Sequence, residues 1–198
     1  MDEEKLSDLF QNEGSEISNL SKSLNMKSVA QLIKLINNCK NNIFITGCGT
    51  SAMAAKKAVH TLRVISKPAF YLNPSDAVHG ALGAVRDDDL VIIISKGGNT
   101  AELVSFLPNL KEKKTKIVSI TENEQSKIAQ ISDFIVKVHV DKELDEFNML
   151  ATTSTMAVIS VFDVIAVALM DLDKFSESQF LENHPSGDVG ERLRNDVK

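Results

Sequence analysis

Four ionisable residues of this chain fall in segments that read as loops or helix starts: His79, Glu102, Glu143 and His184. Imidazoles and carboxylates trade protons with carbon and oxygen near neutral pH, and a converging set would supply the general acids and bases of a proton-transfer reaction. Singly, each has a plainer reading. A glutamate near a helix N-terminus is commonly a solvated partner of the helix dipole, and a lone histidine a surface or hydrogen-bonded residue. A second set carries hydroxyls: Ser51, Ser95, Thr100 and Thr121, with Thr152, Ser154 and Thr155 opening an apolar segment. Such hydroxyls cap helices or donate to phosphate oxygens, and their collection on one edge of a sheet favours a ligand.

Two stretches would position these groups. Residues 43–51 read IFITGCGTS and residues 91–100 read VIIISKGGNT. In each, an apolar strand ends in glycines and hydroxyls and turns into a helix. A helix N-terminus offers unpaired N–H groups and partial positive charge, and glycine lets an anion approach the backbone. Gly47, Gly49, Thr50 and Ser51 in the first loop, and Ser95, Lys96, Gly98, Asn99 and Thr100 in the second, are therefore candidate phosphate ligands, with Thr121, Thr152 and Ser154 beside them. A dinucleotide site fits less well. Gly47-x-Gly49-x-x-Ala52 follows a strand, but Tyr71-Leu72-Asn73 stands where the acidic residue ending the second strand belongs.

The elements alternate. Residues 1–40 read as helical, with Ile17, Leu20 and Leu24, then Val29, Leu32, Ile33 and Ile36, at helical spacing and Ser15 and Ser28 as expected N-caps. Strands are expected at about 42–46, 69–72, 90–95, 116–120 and 134–138, with helices at about 51–65, 100–113, 126–130 and 151–171. Apolar strands alternating with helices imply a five-stranded parallel sheet covered on both faces, a three-layer α/β/α sandwich with ligands beyond the strands' carboxyl ends. Residues 1–40 form a helical segment before one α/β domain, 41–198.

Hydrophobic content of 43% and charged content of 25% are those of a globular protein, and a net charge of −5 disfavours a nucleic-acid surface. The two cysteines, Cys39 and Cys48, form no metal spacing and read as reduced thiols in a cytoplasmic protein. The N-terminus lacks the basic region of an export signal. Residues 149–170 are apolar enough to span a bilayer, but Asp163 within them favours a helix buried in a core or at a subunit interface, with no membrane role.

In order and spacing, several segments resemble the SIS (sugar isomerase) domain family, and within it the arabinose 5-phosphate isomerases of the KdsD/KpsF type. They are Gly47–Ser51, Pro74–Gly83, Ile94–Glu102, Lys142-Glu143, Thr152–Thr155 and His184–Gly190. The resemblance covers about residues 42–193. It implies a phosphosugar ligand held among the hydroxyls and glycines above, aldose–ketose interconversion through an enediol without metal or other cofactor, and acid/base roles at His79, Glu102, Glu143 and His184. It also implies a homo-oligomer, tetramer or dimer, with shared sites, His184 reaching a neighbour's site. Two departures stand out. Thr50 replaces the family's lysine, for which Lys96 is the expected substitute, and the CBS modules of many relatives are not expected. Two other readings remain open: a phosphosugar-binding module without catalysis, and an isomerase for another sugar phosphate such as a hexulose 6-phosphate.

Overall fold

A computed structural model describes residues 2–196. The chain opens with helices α1 (Glu3–Ser23) and α2 (Met26–Asn38), then β1 (Ile43–Gly47), α3 (Thr50–Val64), β2 (Ala69–Tyr71), α4 (Pro74–Ala77), a 3-10 turn at Ala81–Ala84, β3 (Leu90–Ile94), α5 (Ala101–Val104), α6 (Leu107–Glu112), β4 (Lys116–Thr121), α7 (Lys127–Ile131) and β5 (Phe134–Lys137). It ends with the long α8 (Thr153–Asp173), α9 (Glu177–Asn183) and α10 (Gly187–Asp196). All strand pairs are parallel, in the order β2-β1-β3-β4-β5.

Alternation along the strands splits the core in two. Ile43, Ile45, Leu90, Ile92 and Ile94 face α2, α3 and α8, while Phe44, Val91, Ile93 and Ile117 face the α5–α7 side with Leu103, Phe106 and Leu110. β1 and β3 are buried at every position, as strands covered on both faces must be. The five-stranded, three-layer expectation holds.

The helices before the sheet pack into the first core through Leu20, Val29, Leu32 and Ile36. Their N-caps differ from the expected Ser15 and Ser28. Asp2 caps α1, which runs straight through Ser15, and Asn25 caps α2 by accepting from the N–H groups of Lys27 and Ser28. The single helix expected over 100–113 is two short ones. Pro108 has no N–H to give the Val104 carbonyl, so the helical ladder stops and restarts. The tail, expected to follow the last helix without regular structure, folds into α9 and α10. Ser176 and Gln179 form a capping box that starts α9.

α8 is the one helix among the described residues long and apolar enough to cross a membrane by length and composition. Ala157, Val161, Ile165 and Leu169 face the core, and Asp163 pairs with Lys57 of α3. Its other face is bare, with Val164 and Val167 62% and 59% exposed. The expectation of a core or interface helix therefore describes one face of α8 directly and leaves the second open.

Candidate functional site

β1 and β3 are neighbours, yet their connections leave on opposite sides. α3 packs in the layer with α8, and α5 in the layer with α6 and α7. Where neighbouring strands send their chains to opposite faces, a crevice opens at their carboxyl ends. Both glycine loops lie at its rim. They sit close: a β-carbon on Gly47 would fall 2.9 Å from the Ser51 backbone and 3.1 Å from the Ile94 carbonyl. The Tyr71 hydroxyl donates to the Gly47 carbonyl at 3.1 Å and props the first loop from β2.

The crevice holds a cavity of about 90 Å³. Its polar lining is Thr50 and Ser51 at the start of α3, Lys96 in the second loop, Thr121 at the end of β4, and Ser154 and Thr155 at the start of α8. α3 starts without a side-chain cap, and while the Ala52 N–H donates to the Gly49 carbonyl, those of Thr50 and Ser51 are left for an anion. An apolar wall of Val138, Val140 and Val158 faces them. Sequence reading missed that wall, since Val138 and Val140 follow β5 with no pattern of their own and Val158 is one apolar residue among many in α8.

Glu143, in the loop between β5 and α8, stands behind this cavity, bonded to two of its lining residues, Lys96 and Ser154, and it is nearly saturated. Oε1 accepts from Lys96 Nζ at 2.8 Å and from the Ser154 hydroxyl. Oε2 accepts from the backbone N–H groups of Thr152 and Ser154 at 3.0 and 3.1 Å and from the Thr152 hydroxyl at 3.3 Å. The carboxylate thus caps α8, whose own N-cap residue Thr152 makes no side-chain capping bond. Burial alone would push this acid up. The bonds from Lys96, Ser154 and Thr152 outweigh it and hold the carboxyl at about 2.

The other expected ligands serve the loops themselves. Ser95 Oγ accepts from the Gly98 N–H and pairs with Thr100 Oγ1, each at 3.1 Å. The Asn99 amide bridges the Gly97 carbonyl and the Lys127 N–H. Thr121 Oγ1 donates to the Lys96 carbonyl at 2.8 Å while still lining the cavity. Gly49, at φ +57, turns the chain into α3.

His79 and Glu102 lie outside the cavity lining, both exposed, on the side where α4 packs against α5. Glu102 is near enough to the first loop to act on Cys48: burial first, then the Glu102 charge, push that thiol above its ordinary value, which keeps it protonated. His184 is far away. Asn183, its neighbour, donates to the carbonyl of Val64 at the end of α3, while the cavity lies at Thr50. Fourteen helical steps put about 21 Å between those ends. The His184 ring rests 5.9 Å from that of Phe180, with Nδ1 buried and unpartnered among the described residues. Thus none of the four lines the cavity: Glu143 is bonded to two residues that do, His79 and Glu102 lie on the α4–α5 side, and His184 is not brought to it within one chain. Among the described residues no group of three or more His, Cys, Asp or Glu side chains is placed to hold a metal ion.

A doubly wound sheet with two glycine loops and a hydroxyl-lined cavity at its switch point defines a small-anion-binding α/β domain. The chain belongs to the SIS domain family, whose model matches residues 35–168. It is 35% identical over 181 residues to the arabinose 5-phosphate isomerase KpsF of Escherichia coli, matching 91% of this chain and 57% of that protein. The chain therefore spans little more than half the length of such curated relatives. Among solved structures, a candidate sugar-phosphate isomerase of Listeria monocytogenes is 43% identical with a TM-score of 0.91, over 94% of this chain and all of that one. An Escherichia coli CFT073 protein in complex with arabinose 5-phosphate is 33% identical with a TM-score of 0.87, over 91% of this chain and 95% of that one.

Proposed function

We propose that this chain is an aldose–ketose isomerase of a sugar phosphate, with arabinose 5-phosphate and its ketose, ribulose 5-phosphate, as the leading pair. The observation that carries the reading is a buried carboxylate, Glu143, bonded to two groups that line a hydroxyl-rich cavity at the switch point. The likeness to a structure holding arabinose 5-phosphate supports the choice of sugar. The phosphate sits at the open N-terminus of α3, among Thr50, Ser51 and Thr121, with Lys96 as the cation beside it.

The chemistry follows from that placement. Ring opening exposes the C1 carbonyl. Glu143 takes the proton from C2, the C–H electron pair forms the C1–C2 double bond, and the C1 oxygen gains a proton to give the enediol. Loss of the O2 proton and return of a proton to C1 yields the ketose. Glu102 and His79, on the α4–α5 side, and His184 of a neighbouring copy are the groups for ring opening and for moving the proton between O1 and O2. A homo-oligomer is part of the proposal, since His184 sits by the Val64 end of α3, about 21 Å along that helix from Thr50.

The test is solvent exchange. Arabinose 5-phosphate incubated with the protein in deuterated water should take up deuterium at C1 or C2 and give ribulose 5-phosphate by NMR, and Glu143→Gln should abolish both. Absence of exchange, together with a phosphosugar-induced rise in melting temperature, would reduce the chain to a binding module.

A further inference from the structure

A base held at so low a proton affinity is poorly matched to removing a proton from carbon near neutral pH. Glu143 owes that state to Lys96 in part, and the two partners differ in freedom. Both Glu143 oxygens are tied to the start of α8, and its N–H donates to Asn148 at 2.7 Å. Its side chain is 1% exposed, against 39% for Lys96. The Lys96 backbone is fixed, its carbonyl accepting from Thr121 Oγ1 and from the Glu122 N–H. Only its side chain can leave, and that needs no loop movement. Lys96 also lines the cavity that the open N-terminus of α3 faces.

We propose that Lys96 is a ligand-operated latch on Glu143: an anionic phosphate seated at α3 draws the ammonium off the carboxylate, and only then does Glu143 become basic. The proposal rests on reading the cavity as the phosphosugar site. A phosphate monoester carries nearly two negative charges at neutral pH. It outcompetes one carboxylate that keeps the α8 N–H groups and two hydroxyls as compensation. Once Lys96 turns, Oε1 loses its cationic partner, keeps the Ser154 hydroxyl, and has a lone pair free on the side that Lys96 vacates. Lys96 is thus a positioning residue that couples occupancy to proton transfer, and an empty cavity holds a disarmed base.

Coupling of this kind is reciprocal. If phosphate and Glu143 compete for one ammonium, neutralising Glu143 releases Lys96 to the anion. Inorganic phosphate binding, measured by calorimetry at neutral pH, should therefore tighten about tenfold in Glu143→Gln and weaken in Lys96→Gln. The double variant should bind like Lys96→Gln, within about twofold. A purely structural Glu143, capping α8, would give unchanged or weaker binding in Glu143→Gln and overturn the latch. Tightening that persists in the Lys96→Gln background would report simple charge repulsion and also overturn it. Should Glu143→Gln not fold, a crystal structure of the unmodified protein with phosphate decides. Lys96 Nζ on the phosphate and off Glu143 supports the latch, and Nζ still on Glu143 rejects it. Because the probe is inorganic phosphate, failure of sugar exchange in the unmodified protein removes the isomerase reading without touching this result.

Discussion

A β-carbon on Gly98 would stand 2.0 Å from the Ser126 hydroxyl and 2.4 Å from its β-carbon, so Gly98 and Ser126 occupy a contact that no other residue at 98 can share. The pair sews the second glycine loop to α7. Ser126 caps that helix by accepting from the Ala129 N–H at 3.2 Å, and the Ile128 N–H donates to the Gly98 carbonyl at 3.1 Å.

Gly98→Ala should therefore destabilise the fold by about 3 kcal/mol, adding a left-handed φ of +67 to an overpacked contact. Denaturant midpoints measure it. Adding Ser126→Gly removes the clashing atoms, so the double variant should recover at least about 1 kcal/mol relative to additivity, despite the lost cap. Additive costs would mean that the two residues do not press on each other.

Acid should find Glu143 early. Its folded-state value is depressed from 4.5 to about 2. A depressed carboxyl adds stability that is complete above its unfolded value and lost as pH falls through the folded one. The window is therefore about pH 4.5 down to 2. At about 1.4 kcal/mol per unit, the contribution is about 3 kcal/mol, undiminished by solvent because the side chain is buried. Urea unfolding at pH 7 and pH 3 should show most of that loss in the unmodified protein, with a shallower slope in Glu143→Gln. Equal slopes would place the lost carboxylate elsewhere.

Much of this arrangement was legible from residue order. Apolar runs at β1 and β3 followed by glycines and hydroxyls announced both the parallel sheet and the two loops, because buried parallel strands and helix N-termini impose those compositions locally. Which candidates point into the cavity was not legible. Ser95 and Thr100 carry the same hydroxyl as Thr50, Ser51 and Thr121, and only the fold shows that those two, with the Asn99 amide, brace the loop without lining the cavity. The Lys96–Glu143 pair spans 47 residues of sequence with no local pattern. The break at Pro108 and the capping box at Ser176 and Gln179 were open to local reading and were passed over.

The bare face of α8 predicts self-association. Val164 and Val167 are more than half exposed beside an apolar groove lined by Ile17, Leu20, Leu24 and Val29. Val164→Lys should lower the solution mass measured by light scattering while leaving the circular dichroism of the chain unchanged. An unchanged mass would move the interface elsewhere; a monomer before mutation would end the shared-site proposal.

Shared sites make a sharper prediction about His184. The ring lies at the Val64 end of α3 while Glu143 bonds Lys96 and Ser154, which line the cavity at the Thr50 end, so a site completed by His184 takes it from a different copy than its Glu143. Glu143→Gln and His184→Ala should each be inactive as pure proteins. Unfolded together and refolded as mixed assemblies, they should regain activity. A site needs an intact Glu143 from one parent and an intact His184 from the other, so random mixing gives about a quarter of the unmodified activity. No recovery, with mixed assemblies verified by mass spectrometry, would mean that His184 serves its own subunit after a rearrangement of the tail, or plays no part in the reaction. An active His184→Ala parent would point to the second of these at once.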